Sequence, residues 1–224
     1  MPSNSDDSNQ NSNIKPAKIS FSTVGLQTLE FQFLLTKIEG LKWLEINRQI
    51  SEYEVLELKK IITKSKDLVE YWNEQELIIR QISFILDLVN FYGIGYNFFS
   101  ERNIGAIIEG CEIAGTVDFM VAGGKYTPIN PYFFIQEYKQ QKNPTGDPLA
   151  QVLAEMMVSQ SINQSAIMYG CYIIGKYWNF VILENKNYTV LPSLDSTIFE
   201  DLQEIFYRLK SVKEYIEKEL EIVN

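Results

Sequence analysis

Asp118, Glu137 and Lys139 are the residues of this sequence whose types and spacing suggest chemistry. In the run Thr116-Val117-Asp118-Phe119-Met120-Val121, the apolar Val117, Phe119 and Val121 alternate, which places Asp118 on the opposite face of a strand. In Tyr132-Phe133-Phe134-Ile135-Gln136-Glu137-Tyr138-Lys139, the same alternation puts Phe133 and Ile135 on one face with Glu137 and Lys139. An apolar strand that ends on an acid and a lysine two positions apart is unusual. If neighbouring strands bring Asp118 beside Glu137, the two carboxylates can hold a hard divalent cation, Mg²⁺ or Mn²⁺, through oxygen. The Lys139 ammonium can then position a water or neutralise charge at phosphorus. An acid-x-lysine pair alone is weak, but here a hairpin strand carrying an Asp precedes it. A proline-started helix with Gln151 near its beginning follows it.

Composition narrows the chemistry in the same direction. The chain has no histidine, which removes histidine-based triads, histidine general bases and every zinc site built on imidazole. Cys111 and Cys171 stand far apart with no CxxC partner, so they read as two buried thiols. Carboxylates and lysines are left to do any chemistry. At 224 residues and 46% hydrophobic content, the chain can bury one sizeable core.

The elements that must position these residues follow from periodicity and punctuation. Residues 1–20 begin with a Ser/Asn/Asp-rich run and read as a disordered tail. Residues 21–72 read as a helical extension of two helices, broken near Gly40 or at Arg48–Ser51, with Val55, Leu58, Ile61 and Ile62 on an apolar face. Residues 73–224 form the main domain with a C-terminal helix. Its first helix starts at the N-cap Asn73, with Glu76 at the third helical position as the reciprocal half of a capping box, and ends near Gly93-Ile94-Gly95. Strands are expected over 104–111, 116–122 and 132–139, the last two joined by a turn at Gly123-Gly124. Asp147 caps the next helix, with Pro148 at its first position and Leu149, Val152, Leu153, Met156 and Met157 as its buried stripe. Further strands at 167–174, 178–183 and 188–191 precede a last amphipathic helix with Phe199, Leu202, Ile205, Phe206, Leu209, Val212 and Ile216 inward. This order predicts an α/β fold with a mixed central sheet flanked by helices.

On Asp118, Glu137-Tyr138-Lys139 and Gln151, the sequence resembles the PD-(D/E)XK nuclease superfamily. It looks most like the branch found at the N-terminal end of type I restriction subunits. The helix opened by Asn73-Glu74-Gln75-Glu76 and the stretch from Met168 to Phe180 are similar to that branch as well, so the resemblance covers about 73–191. It implies a restriction-endonuclease-like core and Mg²⁺-dependent hydrolysis of phosphodiester bonds, with DNA as substrate and restriction or phage defence as setting. It further implies Asp118 and Glu137 as metal ligands, Lys139 as the water-positioning lysine and Gln151 as the helix glutamine that braces the site. Glu76 corresponds to an acid of the first helix that contributes to metal binding, while the capping box offers it a second role. The cap is favoured because Asn73 supplies the reciprocal half, and Glu76 stays in the ligand set. Two departures stand out: Val117 precedes Asp118 where the family name places proline, and Glu155 stands four residues after Gln151 where exonuclease-like members carry tyrosine.

Charge runs against a nucleic-acid partner, because phosphate binding favours a basic surface and the formal charge is −9. Much of the excess lies in residues 195–224, where eight acids face four bases. Lys125, Lys142 and Lys176 are candidates for phosphate contact and Trp178 for base stacking, with surface placement and core packing as their plainer alternatives. The alternative function is a catalytically silent interaction or assembly subunit, a homodimer or part of a larger complex. No apolar run is long enough for a membrane span, and a cytoplasmic location is expected.

Overall fold

A computed structural model describes residues 17–221, and their elements run β1 (Ala17–Ser20), α1 (Leu26–Gln32), β2 (Thr36–Lys37), α2 (Glu52–Ser65), α3 (Glu74–Leu77), α4 (Ser83–Val89), β3 (Tyr96–Ile108), β4 (Cys111–Gly123), β5 (Ile129–Lys139), α5 (Pro148–Asn163), β6 (Ile167–Ile174), β7 (Tyr177–Glu184), β8 (Asn187–Val190), β9 (Leu194–Asp195) and α6 (Phe199–Glu219). Their nine strands make one mixed sheet, in which β1–β4, β5–β6 and β2–β8 pair parallel and the other pairs are antiparallel. Helices cover both faces, so the fold is the expected mixed α/β sheet packed by helices. On one side α1 and α5 bury Leu29, Val152 and Met156 against Val117, Met120 and Ile135. On the other, α2, α4 and α6 bury Leu58, Ile85, Leu202 and Ile216 against Phe119, Phe134 and Phe180.

The local signals behind these helices are realised. Ser51 and Asn73 each close a capping box, with Glu54 and Glu76 at the third position. The Asp147 carboxylate caps two helices at once. One oxygen accepts from the Ala150 N–H at the start of α5, and the other accepts from the Leu26 N–H at the start of α1. A single side chain thereby ties the N-terminal segment to the helix beside the candidate site.

The N-terminal segment is more deeply built in than a helical extension over 21–72. Helix occupies Leu26–Gln32 and Glu52–Ser65, while Thr36–Lys37 add a strand to the far edge of the sheet. Phe21, Leu29, Phe33 and Leu35 sit in the α5-side core, and Leu58 and Ile61 in the other. Of the expected tail, residues 1–16 lie outside the described residues, and Ala17–Ser20 pair with Cys111–Ala114 as β1. Short strands carry little periodicity of their own, and only the sheet edge that receives them defines them.

The first hairpin also differs from its expected boundaries. The run 104–111 is not one strand: it ends β3, turns through Glu109 and Gly110 (φ 50° and 79°), and begins β4 at Cys111. A two-residue turn with both φ values positive suits the twist of an antiparallel pair, and glycine at its second position carries that conformation without cost.

Candidate active site

The site is made by a fork in the sheet. Along one edge of β4 runs β3, paired from Cys111 to Gly123. The other edge is shared: β1 takes Cys111–Ala114 and β5 takes Phe119–Gly123. Between them Gly115–Asp118 have no strand partner on that edge among the described residues. Phe21 closes the base of the fork, packed so tightly that a Cβ on Gly115 would lie 2.6 Å from its ring.

At the mouth of the fork the chain changes face. Across β3 and β4 the pairing holds at Ser100–Phe119 and Arg102–Val117, but the intervening Glu101–Asp118 position is skipped and Glu101 takes a left-handed φ of 52°. The expected alternation of Val117, Phe119 and Val121 on one face is therefore broken. Val117 packs on the α5 side, whereas Phe119 and Val121 pack on the other. A parallel slip occurs in β5, where an irregularity opposite Val121–Ala122 sends Phe133 to the α6 side and Ile135 to the α5 side. Period-two reading assumes an unbroken pleat, and both strands break theirs beside the site.

The carboxylate of Asp118 projects into the fork. Its Oδ2 accepts the Tyr138 N–H at 2.9 Å, standing in for the carbonyl that a continued β4 pairing would have supplied. Glu137, the residue before, is within hydrogen-bonding reach of Asp118 and accepts from Lys139 Nζ at 2.5 Å. The structure thus brings Asp118, Glu137 and Lys139 together at the ends of β4 and β5. Glu137 and Lys139 are both buried, at 1% and 8% exposure. Burial, and then the nearby Asp118 charge, push the Glu137 carboxyl up to about 8, against the opposing pull of Lys139. For Lys139, burial works against the charge. The Glu137 hydrogen bond and charge, joined by Glu74 and Asp118, outweigh it and hold the ammonium above its usual range.

Two acids that sequence reasoning left out of the cluster belong beside it. Glu155 of α5 is fully buried, neither carboxylate oxygen has a hydrogen-bond partner among the described residues, and its strongest charged neighbours are Glu137 and Asp118. Burial first, then those charges, hold its carboxyl well above the carboxylate range. The signal was present in the sequence: in the run Ala150–Val158, otherwise apolar except for Gln151, Glu155 is the one formal charge, and such a run buries in full, as Ala150–Ser159 do. Glu74 feels Lys139, Asp118 and Glu101, with burial as the main cause that raises its carboxyl.

Glu76, kept as a possible metal ligand, goes elsewhere. Its Oε2 accepts the Asn73 N–H at 3.2 Å and its Oε1 lies 3.6 Å from Arg80. An acid at the third helical position that caps its own helix folds back toward the chain start. The acid of this helix that senses the cluster is Glu74, two positions earlier. Gln151 is buried in the first turn of α5, so close to Gly146 that a Cβ there would lie 2.9 Å from its Oε1. It makes no hydrogen bond to Asp118, Glu137 or Lys139 among the described residues.

The wider candidates are mostly occupied. Trp178 is wholly buried in the core and presents no stacking face. Lys176 is paired with Asp195 at 3.1 Å and Glu70 at 3.5 Å, while Lys142 covers the Tyr71 ring at 3.6 Å. Cys111 and Cys171 are buried free thiols, as expected.

On the α6 side, a cavity of about 500 Å³ opens onto Asp118. Its walls are Ile78, Ile82, Phe84, Phe91, Phe98 and Phe119. The helical wall is irregular: between α3 and α4, residues Ile78–Ile82 form a π turn, in which the Ser83 N–H reaches back five residues to the Ile78 carbonyl. Such turns widen a helix locally and recur at functional sites.

Among the described residues no group of three or more His, Cys, Asp or Glu side chains is placed to hold a metal ion. Mg²⁺ does not require such a group, since it is commonly held by one or two carboxylates with waters and substrate phosphates completing its shell. Two carboxyls, Asp118 and Glu137, lie side by side in the site, and a third acid, Glu155, is buried near them with no hydrogen-bond partner among the described residues, so at most the first two could serve as such ligands. In comparison with known proteins, no family model matches the chain and no curated protein matches its sequence. No helix among the described residues is long and apolar enough to cross a membrane.

Proposed function

We propose that this protein is a divalent-metal-dependent nuclease that hydrolyses phosphodiester bonds, with DNA as the expected substrate and restriction or phage defence as the setting. The observation that carries this reading is the convergence of Asp118, Glu137 and Lys139 in a sheet fork, backed by a buried acid with no hydrogen-bond partner among the described residues. Two carboxyls in contact and a third nearby are unfavourable without a countercharge, and Lys139 supplies one positive charge to that group. Asp118 and Glu137 would hold Mg²⁺ or Mn²⁺, which when bound supplies electrostatic stabilisation of charge at phosphorus. Lys139, fixed by Glu137, orients the attacking water and neutralises developing charge. Tyr138 contributes through its backbone, whose N–H pins the Asp118 carboxylate in place. Burial excludes bulk water from Glu137 and Lys139, which strengthens each of these interactions.

The test is plasmid or oligonucleotide cleavage in Mg²⁺ and Mn²⁺, paired with thermal melts. Wild type should be stabilised by the ion, by about 2.7 kcal/mol at a hundredfold excess over Kd, and should cleave. A protein that shows neither response is instead the silent assembly subunit, a reading to which the net charge of −9 and the half-exposed Phe84 and Phe98 lend weight.

A further inference from the structure

Asp118 belongs to two surroundings at once. Toward β5 it meets Glu137 and Lys139, and toward the helices it lines the cavity. The two sides differ in charge. The single cation of the cluster, Lys139, stands on the first side. The described residues lining the cavity include no lysine or arginine, and their charged members are Asp87, Glu101 and Asp118. A phosphate has no reason to enter such a space. A flat, uncharged ring that donates hydrogen bonds does.

The walls suit that ring. Phe98 is half-exposed and stacks on Phe119, their centroids 5.8 Å apart and their planes within 15° of parallel, which leaves its outer face open. Phe84 is exposed on the opposite, helical wall. Gln75, Asp87 and Glu101 supply acceptors. The volume lies within the roughly 300–1,000 Å³ of small-ligand sites. Two backbone irregularities frame the space, the π turn at Ile78–Ile82 and the left-handed Glu101, and both are features that folds retain where geometry serves a ligand.

We propose that this cavity receives an unpaired nucleobase, so that the substrate is a single-stranded, gapped or frayed nucleic acid whose base enters beside Phe98 while its phosphodiester faces Asp118, Glu137 and Lys139. The inference rests on the nuclease reading for the phosphodiester and on the cavity alone for the base. Enzymes that act on an unstacked nucleotide hold its base by aromatic stacking and by hydrogen bonds to its edge. The acidic acceptors favour bases that carry an amino group, adenine, cytosine and guanine, over thymine.

The experiment measures fluorescence of a single-stranded oligonucleotide containing 2-aminopurine, titrated with the full-length protein with and without Mg²⁺, alongside the same oligonucleotide annealed to its complement. Wild type should quench and bind the single strand on the order of tenfold tighter than the duplex. Ser83→Trp, which fills the cavity mouth from an exposed position, and Phe98→Ala, which removes the stacking face, should each weaken single-strand binding on the order of tenfold. Both should keep the wild-type circular dichroism spectrum and Mg²⁺-dependent melt. Equal binding of single strand and duplex, or undiminished binding by both folded variants, overturns the proposal. A change of oligomeric state in Ser83→Trp with oligonucleotide binding intact would mark the cavity as a protein-docking face and overturn it as well. Base binding without cleavage by wild type would remove the nuclease reading while upholding the cavity's role, so the two failures are distinguishable.

Discussion

The two sides of the sheet at Asp118 solve opposite problems with the same strand. On the α5 side, Glu137 and Glu155 are buried acids, of which only Glu137 is bonded to the lysine, Lys139, among the described residues. On the α4 side, aromatic and aliphatic walls line a cavity whose charged lining residues, among the described residues, are all acids. The first arrangement costs stability, since a buried carboxyl without a hydrogen-bond partner is destabilising by about 1–3 kcal/mol. The second keeps apolar surface open. Neither is what packing alone would select, and they meet at one aspartate, with buried charge on one side of it and open apolar surface on the other.

The comparison breaks first if the charged half can be emptied without consequence. Asp118→Ala and Lys139→Ala should each reduce cleavage on the order of 10²–10⁴-fold while remaining folded. They should differ in binding: Asp118→Ala loses the Mg²⁺-dependent rise in melting temperature and Lys139→Ala keeps it. Metal calorimetry on the two variants checks this, and loss of binding in both would assign Lys139 a structural role.

A smaller effect sharpens the same contrast through stability. Replacing the partnerless acid by an apolar chain of similar length, Glu155→Met, should raise metal-free stability by about 1–3 kcal/mol. That is a gain of about 2–4 °C in melting temperature per kcal/mol for a chain of this size. The same variant should lower the gain from added Mg²⁺. A destabilised Glu155→Met would mean that the carboxyl holds a partner that the fold needs.

The acid pair also sets a pH response. Burial and the Asp118 charge push the folded Glu137 carboxyl up to about 8 from an ordinary 4.5, so between those values the folded state binds more protons than the unfolded state. The Glu137 contribution to stability is therefore fully present below about pH 4.5 and is lost as pH rises through about 8. Glu155, shifted in the same direction, adds to that slope. Metal-free melts of wild type should decline from pH 5 to pH 8, and Glu137→Gln should flatten the decline. A wild-type melt that rises over this range refutes the assignment.

The smallest expected change lies away from both halves. Asp147→Ala removes the cap of α5 and the tie to α1. It should cost about 0.5–2 kcal/mol in urea melts and leave Mg²⁺ binding intact.

Much of this protein is already determined by its sequence. Helix starts at Ser51, Asn73 and Asp147 are set by side chains that bond backbone within three residues, so local chemistry suffices to read them. Glu137 and Lys139 fall at the end of an apolar strand, and the strand Ile167–Ile174 appears with its expected bounds. The contents of the site depended on contacts between distant segments. Glu76 and Glu74 are two positions apart in one helix, and only its docking against the sheet decides which acid faces Lys139. Glu155 looks like an isolated charge in an apolar helix until α5 packs over β5. The face swap at Asp118 goes with a skipped position against β3, beside a fork in which β1 and β5 take successive stretches of one edge of β4, and the cavity lies between that edge and a π turn. Hydrogen bonds that close within a turn of chain leave their mark on neighbouring residues. A sheet edge shared by segments more than a hundred residues apart does not, because its geometry exists only once all of them have assembled.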